Sequence, residues 1–467
     1  MQNIINSIAN SIPEVSKPTE KRLGFNEKLK WTLATLVLFF ALGMVPLWGL
    51  TQNELQQFEF LSIILGASFG SILSLGIGPL VTSSIVLQLL NGSGIVNFEL
   101  TTSDGKKRFQ ATQKVLSLFF IAFEAAIYVL MGGLAPDPAL AGSTTFKMLE
   151  FALIAQLFLG GILVMYMDEV ISKWGFGSGI SLFIAAEVSL QIVVRALSPL
   201  PSPTNPEVMT GAIPALFQSL SRGEPQTAAL MLAALVSTIA VFVLATYAQS
   251  MKVEIPLSFG RVRSTGIRWP LSFMYTSNIP VILVAALQAN IQLWARLLQN
   301  WGHPILGSFT GGSPTSGFVA FIYSPDLVQK IITNGLAGVG WMTWAQASVH
   351  ILFMVVGSII FSWFWVQTSG MDAASQAKQI MASGLQIPGF RKDQRVLERV
   401  LERYIMPLTI MGAVTVGLLA AIADLSGALS RGTGILLTVM IVYKLYEEIA
   451  KQHMMDMNPM MRKFMGE

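Results

Sequence analysis

This chain offers chemistry little to work with. It contains no cysteine, which removes disulfides, thiolate metal ligands and a cysteine nucleophile. His303, His350 and His453 are too scattered for a metal cluster, and no catalytic or metal-ligand set emerges. Ser178 stands between glycines in Gly175-Phe176-Gly177-Ser178-Gly179. Paired with His350 it would make an intramembrane serine hydrolase, but it falls at the end of a span, where serine serves as a helix cap. No GxxxxGK followed by Ser or Thr is present, so nucleotide hydrolysis has to come from a partner. No cofactor is implied. Two carboxyls inside apolar stretches remain, Glu124 and Glu187. An acid at membrane depth is costly and marks function.

The elements that hold these residues are membrane spans. The chain has 467 residues, 53% hydrophobic and 12% charged, with mean hydropathy +0.60. A soluble domain carries about 25% charged residues, so this is a polytopic membrane protein. Spans fall at 31–50, 75–90, 113–134, 146–167, 178–198, 227–249, 270–294, 346–367, 404–424 and 433–449, ten in all. The second, LGIGPLVTSSIVLQLL, is barely long enough for a hydrocarbon core of ~30 Å. It opens on Gly76, Gly78 and Pro79 and follows an apolar piece, 58–65, too short to cross. Broken spans of this kind line protein-enclosed cavities. Thr51 and Glu54 have capping-box spacing ahead of that short piece. No cleavable signal peptide is expected.

Charge gives the orientation. All but six of the 30 lysines and arginines fall in segments that share one side when the N-terminus is cytoplasmic; the six are Lys147, Arg195, Arg222, Arg296, Lys330 and Arg431. The positive-inside rule then puts both termini in the cytoplasm, in agreement with an even span count. Two echoes suggest a duplication. Gly177-Ser178-Gly179-Ile180 opens the fifth span and Gly432-Thr433-Gly434-Ile435 the tenth; Ile77-Gly78-Pro79-Leu80 is echoed by Asn278-Ile279-Pro280-Val281. Two sets of five spans form an inverted repeat, because five is odd.

Six stretches now carry a resemblance: LGIGPLVTS (75–83), SKWGFGSGISLFIAA (172–186), EIPLSFGR (254–261), YTSNIPVIL (275–283), ANIQLW (289–294) and GALSRGTGILLT (427–438). The chain resembles the SecY family, the large subunit of the protein-conducting translocon, in its archaeal form. The resemblance implies an all-α fold of ten transmembrane helices in two inverted five-helix halves around a central pore, with a short plug half-helix. Its divisions are a cytoplasmic amphipathic segment at 1–30, a first half at 31–198 with the plug at about 55–68, an external loop at 199–226, a second half at 227–449 and a cytoplasmic tail at 450–467.

The family's aliphatic pore ring corresponds to Ile77, Val81, Ile180, Ile184, Ile282 and Leu437. Ile77/Val81 and Ile180/Ile184 are i, i+4 pairs that each share a helix face. A channel for arbitrary unfolded chains cannot use fixed polar ligands, whereas a dry aliphatic constriction resists water and ions. The plug corresponds to Phe58, Phe60, Leu61, Ile64 and Leu65. The lateral gate, where spans two and three face seven and eight, corresponds to Thr82, Gln88, Glu124 and Asn290. Cytoplasmic loops at 250–270 and 369–403 match ribosome-docking loops through Arg261, Arg263, Arg268, Arg391, Lys392 and Arg395, whose charge suits phosphate. The implied partners are SecE/gamma-type and beta-type small subunits in a heterotrimer, the ribosome, nascent secretory and membrane proteins with signal sequences, and the lipid bilayer. The implied location is the plasma membrane, and no enzymatic activity is expected.

Two positions depart from the pattern. Glu187 replaces a small or uncharged residue and projects into the external funnel. Lys106 stands where arginine is common and loses the bidentate fork. The competing reading is a polytopic secondary transporter, which shares inverted repeats and broken helices but needs coupling groups at the midplane. Glu124 and Glu187 do not occupy matching positions of the two repeats.

Overall fold

A computed structural model describes residues 13–19, 23–53, 55, 66–92, 95–96, 98, 102–201, 208–259, 266–310, 313–382, 385–386 and 393–457. Ten long helices carry the fold: α1 (Phe25–Gly43), α2 (Gly78–Gly92), α3 (Ser103–Leu130), α4 (Thr144–Trp174), α5 (Gly179–Leu197), α7 (Pro225–Ser250), α8 (Ile279–Asn300), α11 (Trp341–Thr368), α13 (Gln394–Leu425) and α14 (Gly432–Met457). Four short helices lie in the connections: α6 (Ala212–Arg222), α9 (Gly317–Ile322), α10 (Leu327–Asn334) and α12 (Ala373–Ala382). Among the described residues, seven helical segments are long and apolar enough by themselves to cross a membrane. The three that fall short have local reasons. Charges crowd α1 at Glu27, Lys28 and Lys30, and α14 at Lys444, Glu447, Glu448 and Lys451. The third, α2, has 15 residues, or about 22 Å at ~1.5 Å each, and the turns at 66–77 complete its passage.

The two Pro-containing echoes have a conformational basis. Gly76 and Ser277 are both left-handed, at φ 53° and 57°, and each stands three residues before the proline in the first turn of α2 or α8. Proline there costs no helical hydrogen bond. Ser277 is the one non-glycine with positive φ among the described residues. The same left-handed residue three positions before a proline therefore introduces a span in each half.

The expected boundaries shift where polar structure intrudes. The seventh span starts at Ile279 rather than 270, because β3 (Lys252–Phe259) and β4 (Gly266–Ser272) form an antiparallel hairpin that uses residues up to Ser272. The Thr51 N–H donates to the Ala135 carbonyl at 3.1 Å, and β1 (Gln52–Asn53) pairs with β2 (Leu134–Ala135); Glu54, the other half of the expected capping box, lies outside the described residues. The helix expected beyond it, with Phe58, Phe60, Leu61, Ile64 and Leu65, lies outside the described residues.

Residues 13–19 are no loose surface tail. Lys114 of α3 donates to the Pro13 carbonyl at 3.1 Å, Lys173 of α4 to Val15 at 2.8 Å and the Trp174 indole to Ser16 at 2.8 Å. Glu169 sits between both lysines and accepts from the Val15 N–H at 3.0 Å. The segment thus straps α3 to α4.

Two apolar cores result. The larger draws buried side chains from all ten long helices. The smaller gathers Ile255 and Leu271 of the hairpin, Ala377 and Ile380 of α12, and Leu397 and Leu401 of α13. The two expected loops at 250–270 and 369–403 are therefore one folded unit. A three-stranded sheet in the order β4-β3-β7 joins them, with Ser258 opposite Gln386 and Phe259 opposite Leu385 of β7 (Leu385–Gln386).

Candidate functional site

Four helices bring the ring candidates together. Ile77 and Val81 come from the start of α2, Ile180 and Ile184 from α5, Ile282 from α8 and Leu437 from α14. All but Ile180 are buried, and they belong to one apolar cluster against which Ile180 packs. Val81, Ile180 and Ile282 also line a cavity of about 680 Å³. Its other walls include Gln88, Asp168, Ser178 and, near the start of α1 and within α14, Lys28 and Lys444. This vestibule, with polar and apolar walls, thus includes aliphatic side chains of the ring, a surface that offers no directional partner to whatever meets it.

The helix starts that aim these side chains are fixed by two aspartates that sequence reasoning missed, Asp168 half-buried and Asp424 buried. Asp168 of α4 accepts the Ile180 N–H at 3.0 Å. Asp424 of α13 accepts the Thr433 N–H at 2.7 Å and the Thr433 hydroxyl at 2.5 Å. A carboxylate at a helix N-terminus satisfies an orphan donor and complements the helix dipole. Ser178 occupies the N-cap position of α5 but makes no capping bond, because Asp168 takes that place. The only trace of this device in sequence is the glycine-flanked echo, each copy preceded by an aspartate on the helix before it. His350 serves the second copy. Its Nδ1 lies 2.8 Å from the Ile322 carbonyl, and its Nε2 lies 3.4 Å from Asp424 without a hydrogen-bond partner; neither nitrogen pairs with Ser178, so a Ser178–His350 dyad is absent.

Of the four gate candidates, three meet. The Asn290 amide donates to Thr82 Oγ1 at 2.9 Å, and the Thr82 hydroxyl lies 3.1 Å from Glu124 Oε1 and 2.8 Å from its own Gly78 carbonyl. One hydroxyl proton cannot serve both acceptors at once. Asn290 Oδ1 and Glu124 Oε2 are buried without a hydrogen-bond partner. The clasp joining α2, α3 and α8 is therefore only half satisfied. Gln88 is not part of it: its amide donates back along α2 to Ser84 at 3.0 Å, and its side chain lines the vestibule. A second α2–α3 contact, Ser83 to Ser117 at 2.7 Å, was not foreseen; small hydroxyls in apolar spans leave little pattern to read.

Glu187 is buried on α5 and accepts from Gln191 one turn on, at 3.4 Å. It stands apart from the Thr82–Glu124–Asn290 cluster. Arg261, Arg263, Arg391 and Lys392 lie outside the described residues, and of Arg268 only the backbone is described, opposite Pro256 in the hairpin. Arg395 is exposed in the first turn of α13, its N–H donating to Asp393 at 2.9 Å. Lys252 ties this unit to α14 through Glu447 at 2.9 Å, and that hydrogen bond, with the carboxylate's charge, raises the ammonium above the ordinary lysine value.

Comparison with known proteins gives consistent results. The SecY family model matches residues 71–446, and the model for the plug domain of Sec61p matches residues 37–70. Protein translocase subunit SecY of Pyrococcus furiosus is 43% identical over 479 residues, covering 100% of this chain and 99% of its own. A solved structure of a protein-conducting channel superposes with a TM-score of 0.81 at 40% identity, over 96% of this chain and 97% of that one. Sec61 in a canine ribosome-channel complex from the endoplasmic reticulum gives 0.78 at 40% identity, with the same coverage.

Proposed function

This chain belongs to the SecY family, and from that premise we propose that it is the central pore-forming subunit of a protein translocation channel. It passes secretory polypeptides across the membrane and releases transmembrane segments sideways into lipid. The observation that carries this reading is the aliphatic meeting point of α2, α5, α8 and α14, three of whose side chains line the vestibule. A polypeptide of any sequence has to pass such a point, and side chains without donors or acceptors let it pass without selecting among residues.

The roles of individual residues follow from this reading. Ile77, Val81, Ile180, Ile184, Ile282 and Leu437 form the constriction. Thr82, Glu124 and Asn290 clasp the lateral gate, and Gln88 belongs to the vestibule wall. Interhelical hydrogen bonds in membranes average about 0.6 kcal/mol, which suits a seam that has to part. Phe58, Phe60, Leu61, Ile64 and Leu65 form the plug. The united 250–270 and 369–403 unit docks the ribosome through Arg261, Arg263, Arg268, Arg391, Lys392 and Arg395; the ribosome-bound state of one solved relative supports this partner. Small SecE/gamma-type and beta-type subunits complete the complex. Both termini face the cytoplasm of a cell whose plasma membrane holds the channel, with 13–19 strapped down on α3 and α4. The channel performs no bond chemistry. The transporter reading has no support, because Glu124 and Glu187 sit in separate surroundings.

The test is crosslinking from a ribosome-stalled secretory chain to photoreactive groups at positions 77, 184, 282 and 437. Adducts at these positions are expected. Adducts confined to the lipid-facing flank overturn the proposal.

A further inference from the structure

The connection between the two halves contains a helix built the wrong way round for water. In α6, Ala212, Ala215 and Ser219 are buried, and the helix packs against α5 and α7 with this small-residue face. On the opposite side Phe217 is 68% exposed and Leu220 62% exposed, with Ile213 and Leu216 half-buried beside them. Positions 213, 216, 217 and 220 share one helical face. A helix bathed in water would bury its phenylalanine and leave its serine out.

This apolar face continues the flank of the bundle. Val193, Val194, Leu197 and Leu200 are exposed where α5 ends, and Leu232, Val236 and Ile239 are exposed along α7. Backbone bonds hold α6 at that level: Thr210 N–H to Leu200 at 2.8 Å, Gly211 N–H to Ser198 at 2.9 Å and Glu224 N–H to Ser219 at 3.0 Å. Gly223, left-handed at φ 72°, turns the chain directly into α7. With 11 residues, α6 is about 16 Å long, too short to cross. Arg222 and Glu224 are exposed at its end.

We infer that α6 is an interfacial helix lying in the bilayer surface, with Phe217 and Leu220 seated at the boundary of headgroups and acyl chains. Amphipathic helices bind in this way through a buried apolar stripe beneath a polar face. The occupant of the face is lipid, because the stripe runs without a break into flanks of α5 and α7 that a membrane covers. Seated there, α6 sets the depth of the connection between α5 and α7. The inference needs only the membrane setting, not the pore.

Because the sequence has no cysteine, single cysteines can be introduced without removing others. The full chain carrying Phe217→Cys, Leu220→Cys or Arg222→Cys is spin-labelled and reconstituted in phosphatidylcholine–phosphatidylglycerol vesicles. Relaxation by oxygen, which concentrates in the bilayer, is compared with relaxation by a water-soluble nickel chelate. Labels at 217 and 220 are expected to favour oxygen, and the label at 222 to favour nickel. Nickel-favouring labels at 217 and 220 overturn the inference, and so does shielding from both reagents, which means a protein covers the face. Neither readout involves translocation, so failure here leaves the pore reading to its own test.

Discussion

Asn290 and Thr82, 208 residues apart in the chain, are joined by a 2.9 Å hydrogen bond, and that bond ties the second half of the molecule to the first at the seam between α8 and α2. Asn290→Leu removes the bond and Asn290's unpaired Oδ1 together. Such bonds contribute about 0.6 kcal/mol and at most about 1.7, so the closed seam should lose roughly three-fold to twenty-fold in population relative to the parted one. Export of reporters with weakened signal sequences is expected to rise. Export unchanged across a graded signal series would remove Asn290 from the seam.

The two capping aspartates should differ in weight. Asp168 serves backbone donors at the start of α5, and its loss to alanine is expected to cost about 1 kcal/mol, as for other helix caps. Asp424 also faces His350 at 3.4 Å and lies in the field of Arg431. Removing it strips the buried Thr433 N–H and hydroxyl of their closest acceptor, and each buried polar group left unsatisfied costs about 1–3 kcal/mol. Thermal unfolding of the purified complex should rank Asp424→Ala well below Asp168→Ala, and equal midpoints would contradict this account.

Adjacent glycines of α4 offer a sharper contrast. A Cβ at Gly160 would stand 1.8 Å from the Ile72 carbonyl oxygen, which belongs to the turns leading into α2. At Gly161 it would stand 2.5 Å from a methyl of the Ile121 side chain, which can rotate. Gly160→Ala is expected to destabilise by about 1–3 kcal/mol through overpacking. In Gly161→Ala a gain of up to about 1 kcal/mol in helix propensity offsets the crowding. Midpoints from the same melts decide it.

The Lys252–Glu447 pair gives a pH dependence with a defined sign. The ammonium's value is raised in the folded protein, so its contribution is complete below the ordinary lysine value of 10.5 and is lost as pH rises through the folded value. Hydrogen exchange of the β3 amides, corrected for intrinsic rate, should therefore be flat across neutral pH and quicken only in strong alkali. Glu447→Gln should remove that dependence. Both groups are partly exposed, so the effect is small.

Much of this arrangement was readable in advance, and the exceptions share a cause. Long apolar runs announced the spans, and Gly76, Gly78 and Pro79 announced where the second one breaks, whereas the seventh was placed from 270 and starts at Ile279. Glu124 stood out as an acid in an apolar span, and Thr82 and Asn290 came with it from the family resemblance. Gln88 came the same way, yet its amide turns back to Ser84, a choice of rotamer that composition does not reveal. Asp168 and Asp424 escaped notice because their partners are backbone N–H groups of another helix, and such partners carry no side-chain signature. The β3–β4 hairpin was read as loop although Val253, Ile255, Leu257 and Phe259 alternate with other residues; its pairing with β7, more than 120 residues on, has no local signal.

Strand β3 pairs with β4 on one edge and β7 on the other. Four membrane helices, α7, α8, α11 and α13, feed into this small sheet, two through each loop. A load placed on either loop is thereby shared by all four, so the sheet acts as a yoke: a particle settling on its outer rim bears upon α8, the helix that carries both Ile282 and Asn290, without touching the channel's interior.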